Sequence, residues 1–347
     1  MPTAKTSSQP LYPAYLPTRP DGYAATIDVP PFEGNEPGTR ADPAKPHLLR
    51  PDVEVTNITP RIGTELRGIQ LSKLSQEGLD EIALFAAERG VLVFRDQDFA
   101  DIGFERQLEI AKHYGPLHQH PTMGYPEGTG PEFHVVFADE NAGNLRTLLG
   151  PRTSYDLWHI DQTFTRNVPS TTFFWVLEMP ASGGGDTAFT SLTAAYEALS
   201  PTFKSLLAPL SLFHTSASVG EVARVGTERA LREAVSTTHP LVIRHPVTGK
   251  PSLFVNPTIA RRIEGMLPEE SDTLLKFLND HIKSLDFSCR VRWEKGSVVV
   301  WDQRSAAHTA VPDFKDGERR HMVRIIPYGS QTKPAFPDMY GKTNEST

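Results

Sequence analysis

The strongest constraint on this chain is a succession of short apolar, β-branched runs broken by turn-forming residues. Val91-Leu92-Val93-Phe94 and Val298-Val299-Val300-Trp301 are continuous apolar stretches of four, the mark of strands buried on both faces. Thr171 to Leu177, Phe133 to Phe137, Val291-Arg292-Trp293 and Met322-Val323-Arg324-Ile325-Ile326 also read as strands, and Val53-Glu54-Val55 as a short alternating one. Leu241 to Arg244 and Ser252 to Val255 bracket Pro246-Val247-Thr248-Gly249-Lys250, a hairpin signature.

Helices are inserted before and between these strands. Ser75 can cap a helix whose apolar face (Leu79, Ile82, Ala83, Ala86) runs until Gly90. Asp101 to Tyr114 reads as a second helix. Ala194–Leu199 and Pro201–Ala208 read as short ones, and Pro268–Ile282 as a longer one. The expected class is mainly β with flanking helices, a jelly-roll-like barrel with helical buttresses and no internal repeats. Residues 1–52 are rich in Pro, Tyr and Gly without periodicity, so they read as an extended arm whose tyrosines and Phe32 could pack on a neighbour or another subunit. The catalytic domain is expected over 53–330 and a tail over 331–347, with a homo-oligomer as a possible assembly.

A net charge of −7 disfavours broad attraction to nucleic acid or anionic membranes, so a bound anion must be gripped by particular arginines. The lone Cys289 allows no internal disulfide and reads as a packed thiol. No stretch approaches the ~20 apolar residues needed to span a bilayer. The N-terminus shows no secretory pattern, and a cytoplasmic location is expected.

Among the 12 histidines, Trp158-His159-Ile160-Asp161 places an imidazole and a carboxylate two residues apart, on one face if the segment is a strand. Two histidines and one carboxylate form the facial set of non-haem Fe(II) oxygenases. Alone, His-x-Asp is weak, because a strand-end histidine beside a solvated Asp is common. A further ligand is offered by His308, expected at the end of the strand over Val298–Asp302, a rigid support. Arg320 and Arg324 are four apart on a strand and their planar forks suit carboxylate or sulfate oxygens; the alternative is ordinary surface charge, which the apolar Met322-Val323-Arg324-Ile325-Ile326 context weakens for Arg324. Gly183-Gly184-Gly185-Asp186-Thr187 is a turn that permits close backbone approach and carries a hydroxyl.

In order and spacing, Trp158-His159-x-Asp161, Gly184-Gly185-Asp186-Thr187, Trp301-Asp302-x-Arg304, His308 and Arg320/Arg324 resemble the taurine dioxygenase and 2,4-dichlorophenoxyacetate dioxygenase family over roughly residues 53–330. Arg40-Ala41-Asp42-Pro43 and Val93-Phe94-Arg95-Asp96-Gln97 are similar to its fungal sulfonate dioxygenase branch. The resemblance implies a double-stranded β-helix (jelly-roll) core and Fe(II) on His159, Asp161 and His308. It also implies 2-oxoglutarate on Arg320 and Thr187, with O₂ consumed and succinate and CO₂ released as a substrate C–H bond is oxidised. By the same carry-over His120 and Arg324 would bind a small anionic organic substrate: a sulfonate, a sulfate ester or a carboxylate. Tyr155 and the Met123-Gly124 region stand where the family contacts taurine's amino end, so a larger, more apolar pocket is expected. Gln119, Ile160 and Gln162 also depart from the sulfonate branch, which leaves open an amino acid of secondary metabolism undergoing hydroxylation, desaturation or cyclisation. His118, His134, His214, His239, His245 and His321 have no ligand role in this scheme, and no catalytic residue is expected beyond the metal ligands. A zinc hydrolase could use the same three ligands, but no general base follows a histidine and Arg320 and Thr187 would lack a role. A non-catalytic binding barrel is the remaining reading.

Overall fold

The computed structural model describes residues 9–18, 31–120, 124–140, 157–217 and 234–341. Its main element is a seven-stranded sheet in the order Glu54–Asn57, Thr64–Arg67, Val91–Phe94, Val298–Asp302, Thr171–Glu178, Arg320–Ile325, His134–Ala138. The all-apolar runs occupy its centre. Val298–Asp302 pairs with Val91–Phe94 on one side and Thr171–Glu178 on the other, and is buried throughout. A strand between two partners and under two layers has no polar face to display, hence its unbroken apolar sequence. A three-stranded sheet, Ser288–Val291, Thr187–Ser191, Ala306–Ala310, faces it.

Side-chain alternation divides the work of these sheets. Val93, Phe174, Val299, Trp301 and Met322 of the large sheet pack against Phe189, Cys289, Val291 and Ala306 of the small one. Arg320 and Arg324 share the parity of Met322, so both arginines enter the space between the sheets. The opposite face, with Leu92, Phe173, Trp175, Val300 and Val323, forms a second core under the helices Gln76–Arg89 and Phe104–Lys112. A third core gathers Leu192–Glu197, Pro201–Leu207 and Pro268–His281 around the hairpin Val242–Arg244/Pro251–Leu253.

Local signals account for the boundaries. Ser75 accepts from the Gly78 amide, and Gly90, at φ 75°, ends the helix by donating to the Ala86 carbonyl. The next helix begins at Phe104 rather than Asp101, because Gly103 at φ 84° is not helical. His308 is not at the end of the preceding strand. It lies inside Ala306–Ala310, in which Thr309 alone is a strong β-former, and which is a strand through its pairing with Phe189 and its neighbours.

The arm belongs to the body of its own chain. Tyr15 is buried among Phe104 and Trp175, and its hydroxyl donates to the Ala100 carbonyl. Phe32 exchanges backbone bonds with the Asn167 amide, and Arg40 pairs with Asp80 through both oxygens. Among the described residues of the arm, the Tyr15 ring is packed within its own chain. Beyond residue 330, Ala335 and Phe336 pack in the third core. Among the described residues no helix is long and apolar enough to cross a membrane.

Candidate metal centre

His159 and His308 meet as an antiparallel bridge, each amide donating to the other's carbonyl at 2.9 Å. Residues directly opposite in such a pair point to one side. Their rings accordingly lie 4.2 Å apart, between centroids. His159 is therefore a single bridge position rather than part of a strand, and a turn begins at Asp161. Asp161 nonetheless points back, with Oδ1 3.6 Å from His159 Nε2 and Oδ2 3.8 Å from His308 Nε2. One donor atom from each of the three lies within 4.8 Å of the others.

The tautomer of His159 follows from its neighbour. Its Nδ1 is 2.6 Å from the Leu157 carbonyl, which can only accept, so Nδ1 carries the proton and the Nε2 lone pair faces the cluster. Burial holds His308 well below the usual imidazole range, and neighbouring His159 pushes it the same way, so this ring too is neutral and able to ligate. Burial alone would raise the Asp161 carboxyl, but the Arg324 guanidinium bonded to both its oxygens holds it well below the carboxylate range. Two neutral imidazoles and one ionised carboxylate are a donor set suited to a divalent cation of the Fe(II) type.

The turn after Asp161 is braced by residues that carry no ligand role. Asn256 donates to the Ile160 carbonyl and to Thr163 Oγ1, His214 Nδ1 meets the same hydroxyl at 2.8 Å, and His239 Nε2 lies 2.9 Å from the Thr163 carbonyl. Arg324 Nη1 reaches both Asp161 oxygens at 2.9 Å, and its Nη2 reaches His134 Nδ1 at 2.7 Å. His134 must accept there, so it is neutral; burial depresses its pKa, with His120 and Arg324 acting in the same direction. His120 is buried with its ring 4.1 Å from that of His134. A sequence signal for His134 existed only in hindsight of pairing, since it sits opposite Arg324 on the adjacent strand. Tyr155 and Met123 lie outside the described residues.

Arg320 lies four residues from Arg324 on the same strand and is also buried. Its Nε donates to the Gly185 carbonyl at 3.1 Å. Among the described residues its two Nη groups bond no protein acceptor, and burial pulls its pKa down to about 10. A buried guanidinium with a free fork matches the carboxylate of a bound acid. The glycines next to it are required: Gly184 and Gly185 have φ 82° and 73°, and a Cβ on Gly185 would meet Arg320 Nε at 3.1 Å. Asp313 holds the loop by accepting from the Gly185 amide, and Arg290 ties Asp313 to Asp186. Thr187 is buried on the Phe189 face and accepts from Trp293 Nε1, leaving its own proton to donate.

The profile described as "Taurine catabolism dioxygenase TauD, TfdA family" matches residues 54–326. The "Alpha-ketoglutarate-dependent dioxygenase cnsM" of Penicillium expansum is 44% identical over 94% of this chain and 92% of its own length. The "Alpha-ketoglutarate-dependent sulfonate dioxygenase" of Saccharomyces cerevisiae is 38% identical over 91% of this chain and 77% of its own. A taurine dioxygenase crystal structure from Burkholderia xenovorans superposes with a TM-score of 0.66 at 30% identity, covering 83% of this chain and 92% of that one.

Proposed function

The chain belongs to the TauD/TfdA family of taurine-catabolism dioxygenases, and from that premise we propose that His159, Asp161 and His308 hold its iron and Arg320 and Thr187 its 2-oxoglutarate. It is an Fe(II)- and 2-oxoglutarate-dependent oxidoreductase that consumes O₂. Family membership removes the zinc-hydrolase and non-catalytic readings of the same residues. The two facing sheets are read as a double-stranded β-helix.

The observation that carries the assignment is the convergence of half-buried His159 with buried Asp161 and His308, the His159 tautomer fixed by Leu157, beside a buried guanidinium whose Nη groups bond no acceptor among the described residues. When bound, iron and 2-oxoglutarate would supply the activation of O₂, the oxidant, with 2-oxoglutarate oxidised to succinate and CO₂. The chain's part is orientation and exclusion of water. Leu157 keeps the His159 lone pair directed inward, Phe189 and Trp301 pack on the His308 ring, and Gly185 steadies the Arg320 fork. Arg324 and His120 are assigned to the anionic group of a small substrate: a sulfonate, a sulfate ester or a carboxylate. Arg324 Nη1 and Nη2 bond Asp161 and His134, while its Nε meets no acceptor among the described residues and is a donor available to such an anion. The activity of the sulfonate-oxidising yeast relative supports an anionic substrate. Cytoplasmic residence completes the proposal, in keeping with the lone, buried Cys289.

The test is succinate release from 2-oxoglutarate with Fe(II), O₂ and a panel of sulfonates, alkyl sulfates, aryloxyacids and amino acids. At least one anion is expected to stimulate release in the native protein and none in His159→Ala. Full activity in His159→Ala would refute the assignment.

A further inference from the structure

Gln303 has no part in the ligand set, yet it is fully buried and touches Asp161 twice. It is the variable position in Trp301-Asp302-x-Arg304, on the turn that leads from the Val298–Asp302 strand to the one carrying His308. Its Oε1 accepts from the Asp161 amide at 3.1 Å. A backbone N–H only donates, so the amide can have one orientation, and Nε2 must be the atom facing Asp161 Oδ2 and Thr172 Oγ1.

Oδ2 therefore receives two donors, Gln303 Nε2 and Arg324 Nη1, whereas among the described residues Oδ1 receives Arg324 alone and lies 3.6 Å from His159 Nε2. A carboxylate oxygen has about two acceptor sites, so Oδ2 is filled and Oδ1 keeps a lone pair. We infer that Gln303 is a positioning residue that makes Asp161 a one-oxygen ligand, bound through Oδ1, and so preserves an open coordination position for the co-substrate or O₂. A carboxylate bound through both oxygens would take that position.

The backbone carrying Gln303 is locked from behind. Asp302 and Arg304, its neighbours in sequence, form a bidentate pair; Arg304 Nη1 bonds Glu36, and His245 Nε2 lies 3.1 Å from Asp302. The Gln303 amide itself donates to the Ser170 carbonyl. Groups that orient a metal ligand typically change metal affinity 10–100-fold when removed.

The inference rests on the metal reading above, and one experiment separates the two. Metal-free native protein and the variants Gln303→Met, Thr172→Val and His308→Ala are titrated anaerobically with Co(II), following affinity by calorimetry and coordination by the visible d–d bands. Gln303→Met keeps the side-chain volume and loses both bonds to Asp161. Binding about 10–100-fold weaker is expected, with altered band intensity as the second oxygen becomes available. Thr172→Val keeps both Asp161 bonds and should stay within about threefold of native with an unchanged spectrum. Native affinity and an unchanged spectrum in Gln303→Met overturn the inference, while the loss of Co(II) in His308→Ala leaves the metal reading standing. Co(II) binding untouched by His308→Ala overturns both. If Gln303→Met does not fold, Gln303→Asn, whose amide falls one methylene short of the carboxylate, carries the same two outcomes.

Discussion

Two buried charge clusters lie on opposite sides of the segment Asp302-Gln303-Arg304, and they are built differently. Behind it, Arg304 spends its whole fork on protein: Nε and Nη2 on Asp302, Nη1 on Glu36. His245 completes that group, its Nδ1 accepting from the Val247 and Thr248 amides and its Nε2 lying 3.1 Å from Asp302. In front, the Nε2 atoms of two imidazoles gather with one carboxylate, and among the described residues the Arg320 fork bonds the protein through Nε alone. The rear cluster is closed and holds the fold. The front one is open, and its unmet valences are what a metal and an organic acid would satisfy. Burying a charge is costly unless it is paired, so the difference in pairing separates scaffold from site.

Removing one charge from each cluster should therefore give opposite results. Arg320→Leu should weaken 2-oxoglutarate binding about 100-fold or more, corresponding to about 3 kcal/mol, with a melting temperature equal to or above native because an under-paired buried cation is lost. Titration calorimetry and thermal denaturation read both effects; a large fall in melting temperature with unchanged binding would reverse the distinction. Glu36→Ala should do the converse, costing about 2–3 kcal/mol of stability by chemical denaturation while leaving 2-oxoglutarate affinity near native in the folded protein.

Acid sharpens the same contrast by a smaller amount. Burial alone would lift the Glu36 carboxyl, but Arg304 holds it below its ordinary value of 4.5. A carboxyl lowered by folding contributes stability that is fully present above its unfolded pKa and is lost as pH falls through the folded value. Stability should thus decline as pH drops below about 4.5, and Glu36→Gln should flatten the upper part of that decline in denaturation curves collected against pH. Asp302, held lower still by Arg304 and His245 against its burial, sustains the remaining limb. The smallest effect concerns Cys289, whose thiol burial pushes up to about 12. A thiol reagent should label it only on unfolding, and rapid labelling of the native protein would contradict its packed position.

The sequence disclosed the front cluster better than the rear. Histidine and aspartate at a spacing of two, then a histidine past an apolar strand, are chemically specific, and the runs 91–94 and 298–301 were legible because the part of a strand covered on both faces by apolar side chains is itself apolar. The rear cluster joins residues 268 positions apart, Glu36 and Arg304, and such a pair leaves no local periodicity. The same holds for Tyr15, which reads as part of a loose arm and is buried in the core. Ala306–Ala310 was missed as a strand because pairing, not propensity, makes it one. Gln303 was invisible because a neutral amide between two charged residues gives no chemical signal of its own. The motifs Arg40 to Pro43 and Val93 to Gln97, read as marks of the fungal sulfonate dioxygenase branch, also hold the fold: Arg40 binds Asp80, and Gln97 bridges the Leu71 amide to the Ile69 and Arg95 carbonyls.

The most direct measurement is the iron content of the protein after anaerobic loading with Fe(II) and removal of excess metal, native against His308→Ala. About one Fe(II) per chain is expected in the native protein and none in the variant, with the fold of both checked by circular dichroism. Equal iron in the two, with both folded, would mean that the imidazoles and carboxylate gathered between the sheets are not the metal centre.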